Sequence, residues 1–400
     1  MPKSYLQKII SSDSKEFINK HLNTSKTEII LKYSAKSELP IKEIAEQIES
    51  FNKAKIKLPN LSNYDLVYQK LSLEQCSSEY TANYKSSILK GQRIIDLTGG
   101  LGVDSVYFSK VFDEVIYFEL DSERSEIAKY NFEKLGIKNI KVINKDSIEE
   151  LSNYSDNYFD WIFADPSRRD KNIRSVDIKF YSPNILENME LLLSKSKNIL
   201  LKLAPAFDLK EAVRIFPNLI EFSILSFQNE CKEVLVFISK DRKDKIKSAV
   251  ALNTEFNHVC IKDRIENTHT AKIEYPRTGN YFYEPDAAIR KAGLTEKIAA
   301  EMNLCKINVL SDYLHSSYYL ENFPGRRFLI KSVNLFNEKL IKRHLKDNQI
   351  SKANISRSNF PFKAEEIKNK FNLSDGGEHY LFFTKDLNKK LIFLSTIKVD

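Results

Sequence analysis

The sequence predicts an α/β fold: a parallel sheet covered by helices on both faces, with a helical region ahead of it and small α+β segments behind. Three observations carry this expectation. From residue 93 onward, short apolar runs alternate with amphipathic segments, the pattern of strands joined by crossover helices. The first run leads straight into RIIDLTGGLGVDS, residues 93–105, where three of the chain's 10 glycines fall within four positions. The last two runs, EFSILSF and EVLVFIS, are separated only by QNECK, too short for a crossover, so they form an antiparallel hairpin.

Taken in chain order, residues 1–88 read as helical. In IKEIAEQIESF the apolar positions Ile41, Ile44, Ala45, Ile48 and Phe51 recur at helical spacing, giving one buried face, and the helix ends before Pro59. Strands follow at RIIDL, VIYFEL, IKVINKD, FDWIFAD and NILLKLA ahead of the hairpin. Helices fall between most of them, as in SERSEIAKYNFEKLG, where Gly136 is placed as a C-terminal cap. Residues 89–242 thus form the sheet domain, and the charged run SKDRKDKIK marks its end. Two smaller α+β segments, 243–320 and 321–400, carry short strands such as RRFLI, HYLFFT and LIFLST. Neither internal repeats nor low-complexity tracts are visible.

Composition narrows the function classes. At 42% hydrophobic and 29% charged residues over 400 positions, the chain reads as globular and long enough for two or three domains. No apolar run approaches the roughly 18 residues of a membrane span, and MPKSYLQKIISSDSKEF lacks the apolar segment of a signal peptide, so no membrane association and a cytoplasmic location are expected. Cys76, Cys231, Cys260 and Cys305 are far apart and form no metal-binding spacing, which argues against disulfides and structural zinc; no metal is expected. The formal charge is +8, and between residues 321 and 370 there are 12 Lys and Arg against 5 Asp and Glu. Such a local basic excess suits either phosphate binding or a solvated lysine-rich surface.

A strand running into GGLG and then into a helix puts the glycines at the carboxyl edge of the sheet, where open α/β folds bind ligands. The spacing is one residue from a dinucleotide fingerprint, so a nicotinamide cofactor is one reading. Asp96 argues against it, because a carboxylate at the end of the first strand faces an ammonium group better than a pyrophosphate. The next three strands also end in acids: Glu119, placed to accept ribose hydroxyls, then Asp146 and Asp165. Each acid alone fits a helix cap or turn. Four at one sheet edge suit a cofactor carrying an amino group, a ribose and a sulfonium, and S-adenosylmethionine has all three.

On these residues the chain resembles the class I S-adenosylmethionine-dependent methyltransferases. DLTGGLGVD is similar to their glycine motif, with Thr98, Gly99, Gly100 and Gly102; FELD to their ribose-binding segment, with Glu119 and Leu120; NKDS to their adenine-contacting segment, with Asp146 and Ser147; and FADPSRRD to their motif after strand four. The resemblance covers about residues 75–240 and implies a Rossmann-like seven-stranded methyltransferase sheet that binds S-adenosylmethionine. EQCSSEYTANYK, YEPDAAIRKAGL and ANISRSNFPFKAEEIKNKF with DGGEHYLF extend it to a bacterial group with a ferredoxin-like segment, 243–320, and a THUMP-like domain, 321–400. THUMP domains bind RNA in tRNA-modifying enzymes, so tRNA or rRNA is the implied partner. The sequence says nothing about oligomeric state.

The motif after strand four decides the chemistry. Amino-methylating members carry an acid, two prolines and an aromatic; here Asp165 and Pro166 are kept, while Ser167 and Arg168 replace the second proline and the aromatic. Asp165, Pro166 and Arg168 are the expected catalytic residues for transfer to a base nitrogen. An arginine can stack on a base or grip a phosphate, so Arg168, Arg169 and Lys202 are expected to contact substrate, with Tyr84 folding over the site. The departure at Ser167 and Arg168 leaves open an RNA-binding protein that holds cofactor without catalysis. A methyltransferase acting on protein or a small molecule is the other alternative. Methylation at pyrimidine carbon would need a cysteine nucleophile, and strand five ends in LKLAP without one.

Overall fold

The computed structural model describes residues 4–168 and 178–399, with the side chains of Arg168 and Lys179 also outside the description. Two compact units emerge. The first comprises residues 1–222, 232–244 and 252–257, and the second 223–231, 245–251 and 258–400.

Unit 1 begins with helices α1 (Tyr5–Ile10), α2 (Ser12–His21), α3 (Lys26–Tyr33), α4 (Ile41–Lys57), α5 (Lys70–Gln75) and α6 (Glu79–Ile88). The apolar face of α4 behaves as its spacing predicts: Ile41, Ile44, Ala45 and Ile48 are buried with Ile9 and Ile29, and the helix stops at Lys57, directly before Leu58-Pro59. The sheet consists of β1 (Arg93–Asp96), β2 (Glu114–Phe118), β3 (Ile140–Ile143), β4 (Phe159–Ala164), β5 (Ser196–Leu203), β6 (Leu219–Phe227) and β7 (Glu230–Ser239). In space the order is β6-β7-β5-β4-β1-β2-β3. The first five strands run parallel, and β7 lies antiparallel against β5, pairing Leu201 with Val236. The short hairpin connection imposes this, as no crossover helix fits into it.

Helices α7 (Val103–Phe108), α8 (Ser122–Lys134), α9 (Ser147–Leu151), α10 (Met189–Lys195) and α11 (Leu209–Ile215) connect the strands. Asp121 and Asp146 accept backbone hydrogen bonds at the starts of α8 and α9, and Gly136, at φ +70°, follows α8 as expected. One element was not expected: Ser167–Arg168 pairs with Tyr181–Ser182 in a short ribbon after β4.

In unit 2, β8 (Ile246–Leu252) and β9 (His258–Arg264) follow the outer part of β6 in strand order. The remaining strands, β10 (Lys272–Ile273), β11 (Tyr281–Pro285), β12 (Cys305–Lys306), β13 (Leu314–Ser316), β14 (Gly325–Leu335), β15 (Asn354–Arg357), β16 (His379–Lys385) and β17 (Leu391–Lys398), form one sheet. Its order is β10-β12-β13-β11-β14-β17-β16-β15. The segments divided at 320/321 therefore share a sheet, because β11 pairs with β14 from Tyr281–Leu329 to Pro285–Gly325. Helices α12 (Ala287–Lys291), α13 (Thr295–Glu301), α14 (Glu338–Asp347) and α15 (Ala364–Phe371) complete the unit. No helix among the described residues is long and apolar enough to cross a membrane.

Candidate cofactor and methyl-transfer site

A cavity of about 530 Å³ opens at the carboxyl ends of β1, β2, β3 and β4, within the size range of small-molecule sites. It lies wholly within unit 1. Asp96, Thr98, Gly99, Gly100, Gly102, Glu119, Leu120, Asp146, Ser147, Asp165, Pro166 and Lys202 all line it. Parallel strands that end at a common edge deliver their terminal residues to one place, whatever their separation in sequence.

Asp96 is 1% exposed. Its Oδ1 accepts from the Thr98 amide at 3.0 Å and its Oδ2 from the Ser105 hydroxyl at 2.7 Å. No cation lies within ion-pair distance of it among the described residues. Burial accordingly raises its carboxyl to about 7, against the opposing effect of these hydrogen bonds. A buried carboxylate with no internal counter-charge gains most from a ligand that brings one.

Glu119 is differently placed. Its Oε2 accepts from Gly100 N at 3.0 Å, and its Oε1 from Asp121 N at 2.8 Å and from Arg124 at 2.9 Å. A carboxylate offers about four lone-pair sites; these three donors leave one, so a ligand presenting two hydroxyls finds a second site only when the guanidinium of Arg124 gives way. Asp146 uses Oδ1 to cap α9 through Ile148 N and Glu149 N. It is therefore a helix cap and a cavity-lining acid at once. Leu120, 69% exposed beside these residues, offers an apolar wall to a flat ring.

The glycines divide by function. A Cβ on Gly99 would overlap the ring of Tyr117, and one on Gly102 would lie 2.6 Å from Phe132. These two exist so that the loop can pack against aromatic side chains. At Gly100, φ +58°, a Cβ would meet only the Thr98 carbonyl oxygen, at an ordinary contact distance of 3.7 Å, and its own carbonyl accepts from the Tyr117 hydroxyl at 2.6 Å.

Asp165 is tied to the glycine loop, because its amide donates to Thr98 Oγ1 at 2.7 Å. Its side chain, 36% exposed, forms an ion pair with Lys202. Burial raises the Asp165 carboxyl, while Lys202 opposes that shift. The Lys202 ammonium is held well above its ordinary range by Asp165, Glu233 and Asp104, overriding its burial; it is a permanent cation and no base. Behind it, Lys85, 0% exposed, bridges Glu233 at 2.6 Å and Asp104 at 2.9 Å. Ser77 donates to Asp104 at 2.7 Å and accepts from Lys85 at 2.8 Å. Ion pairs this deeply buried are costly unless fully satisfied, and the two acids of this cluster also act electrostatically on Lys202.

Arg169 lies outside the described residues, and of Arg168 only the backbone is described, in the ribbon beside the cavity. Tyr84 is a correction: it is buried at 5% exposure and does not line the cavity. The turn of α6 that points Tyr84 into the core sends Lys85 into the ionic cluster instead. Cys76 lines the cavity, yet burial pushes its thiol up to about 11, which disfavours the thiolate that carbon methylation requires. Sequence reasoning missed Lys85, Asp104, Ser105, Arg124 and Glu233. A signal existed for two of them: Asp104 and Ser105 directly follow the glycines, at the start of α7, where side chains necessarily face the loop.

Two family models match. One, described as THUMP domain-like, covers residues 325–396, and the other, described as Conserved hypothetical protein 95, covers residues 79–202. Among solved structures, a protein of Porphyromonas gingivalis W83 described as a candidate methyltransferase is 28% identical, with 100% of each chain covered and a TM-score of 0.85. A tRNA (m1A58) methyltransferase from Aquifex aeolicus is 17% identical over 42% of this chain and 71% of its own, with a TM-score of 0.31. TrmK of M. capricolum, in complex with S-adenosyl-homocysteine, is 15% identical over 40% of this chain and 68% of its own, with a TM-score of 0.32. A search of curated proteins finds no match.

Proposed function

We propose that this chain, which joins a methyltransferase fold to a THUMP-like C-terminal domain, uses S-adenosylmethionine to methylate a base nitrogen of tRNA or rRNA in the cytoplasm. The observation that carries the cofactor reading is Asp96, a buried carboxylate at the cavity floor with no cation beside it among the described residues. An amino group supplied by the cofactor satisfies it. The rest of the cavity fits the same group. Glu119 suits ribose hydroxyls once Arg124 has moved, and Leu120, Asp146 and Ser147 suit the adenine. The cofactor supplies an electrophilic methyl on a sulfonium; the chain supplies position and proton handling.

Asp165 holds the acceptor. Its carboxylate takes a hydrogen bond from an N–H of the target base and so directs the nitrogen lone pair into the cavity. The ion pair with Lys202 fixes the carboxylate and keeps it ionised before transfer. Methylation of a neutral nitrogen releases one proton, and Asp165, raised by burial, accepts it at a carboxylate oxygen and passes it to solvent through its exposed edge. The high thiol value of Cys76 argues for nitrogen rather than pyrimidine carbon. The RNA part of the reading is supported by the basic excess of residues 321–370 and by the THUMP-like match.

The test is incubation of the protein with radiolabelled S-adenosylmethionine and bulk RNA from a host lacking the gene, followed by nucleoside mass spectrometry. One new N-methylated nucleoside is expected. Asp165→Ala should lower turnover by at least about 100-fold, the scale of a lost acid–base group, while cofactor affinity by calorimetry changes little. Cofactor binding without incorporation into any RNA would instead establish the non-catalytic alternative, and labelling of protein would move the substrate class.

A further inference from the structure

Helix α14 has two faces with different chemistry. Ile341 and Leu345, four residues apart, are buried in the cluster that contains Leu381, Phe383 and Phe393. A helix turns about 100° per residue, so Lys339, Lys342, Arg343 and Lys346 form one stripe on the side away from that core. All four are exposed. Arg343 meets Asp347 at 3.4 Å, an exposed pair of the kind that contributes under about 1 kcal/mol. Lys339, Lys342 and Lys346 have no acidic side chain within ion-pair distance among the described residues. Nearby acids are already engaged: Glu338 by Lys370 at 2.6 Å, and Glu365 and Asp375 by Lys368 at 2.8 and 2.6 Å.

Helix stability does not account for the stripe. A cation in the last turn, such as Lys346, is favoured by the helix dipole, but Lys339 lies in the first turn, where the dipole opposes it. The one exposed aliphatic side chain of the helix, Leu340 at 49% exposure, lies at the edge of the stripe, about 60° round the helix from Arg343, and not at its centre, where a protein interface places its anchors. From Lys339 to Lys346 it runs about 10 Å at 1.5 Å per residue, and it presents a single sign of charge throughout. That is the complement of a chain of phosphates.

We propose that the outward face of α14 binds the phosphate backbone of the RNA substrate through Lys339, Lys342, Arg343 and Lys346; this rests on the RNA reading of the preceding subsection. The test compares the full-length protein with the triple variant Lys339→Gln, Lys342→Gln and Lys346→Gln, which keeps good helix formers in place. A control variant removes three exposed charges elsewhere, through Lys20→Gln, Lys36→Gln and Lys42→Gln. Binding of bulk tRNA is measured between 50 and 200 mM salt, and cofactor binding by calorimetry serves as the check on folding.

The expected result is at least a tenfold loss of tRNA affinity in the α14 variant and a salt slope shallower by about two to three, the value for three lost phosphate contacts. The control should keep the wild-type slope. If wild type and the α14 variant bind tRNA alike, the surface is wrong while the RNA reading stands. If the control loses as much as the α14 variant, net charge and not this helix is responsible, and the proposal falls. If wild type binds no RNA but does bind polyglutamate through the stripe, the partner is an acidic protein and both readings are overturned.

Discussion

At Asp96, burial and hydrogen bonding pull the carboxyl in opposite directions. Burial raises its carboxyl to about 7, with the Ser105 and Thr98 hydrogen bonds working against that rise. The folded value lies above the unfolded value of about 4, so Asp96 favours folding least at high pH. Its penalty sets in as pH climbs from about 4 to about 7 and is complete above that. A bound ammonium reverses the local preference, because it stabilises the ionised form. Cofactor binding below pH 7 must then release a proton, and affinity should fall as pH drops from 7.5 to 6, by up to tenfold per unit at the limit. Calorimetry in buffers of different ionisation enthalpy measures the released proton directly. Asp96→Asn should bind more weakly and with a flat pH dependence over this range; an unchanged slope in that variant would assign the titration to another group.

At the scale of elements, the glycine loop separates packing from ligand approach. Gly99→Ala pushes a methyl into the ring of Tyr117, whereas Gly100→Ala meets no clash, with the Thr98 carbonyl oxygen at 3.7 Å, and carries only a left-handed backbone. Overpacking of this kind costs about 1 to 3 kcal/mol, and often more when the obstacle is an immobile ring; a left-handed alanine costs roughly 1 to 2 kcal/mol. Thermal melting should therefore show the larger loss for Gly99→Ala. A bulky side chain at Gly100 should leave the fold intact and reduce cofactor affinity. This division was not legible in the sequence, where the three glycines read as one motif. What could be read was local: the strands that end at Asp96, Glu119 and Asp165, the hairpin forced by QNECK, and the helix closed by Gly136. Long-range partners could not be read. Lys85 meets Glu233 across 148 positions, and nothing in either segment announces the other. The same limit explains Tyr84, whose helical phase was fixed by a core the sequence does not display. The shared sheet across 320/321 also escaped notice, because β11 and β14 pair only through a connection of some forty residues.

For the whole molecule, the two kinds of charge found here lead to opposite responses to salt. The charge at the cavity floor of unit 1 is enclosed: Asp96 is at 1% exposure, and ions in solution screen such a group weakly. The cations of α14 stand in solvent, and contacts between such cations and phosphates release counterions, so their strength falls steeply with ionic strength. A net charge of +8 does not distinguish these cases; location does. Raising salt from 50 to 200 mM should increase the KM for RNA by at least about tenfold if several phosphates are gripped. Over the same range the dissociation constant for S-adenosylmethionine should shift less than about twofold, since Asp96, the partner proposed for its amino group, is buried. Turnover at saturating RNA should follow the cofactor and hold nearly constant. Parallel weakening of both ligands would mean that the acids of the cavity act from solvent, and would count against Asp96 as the group that selects the cofactor.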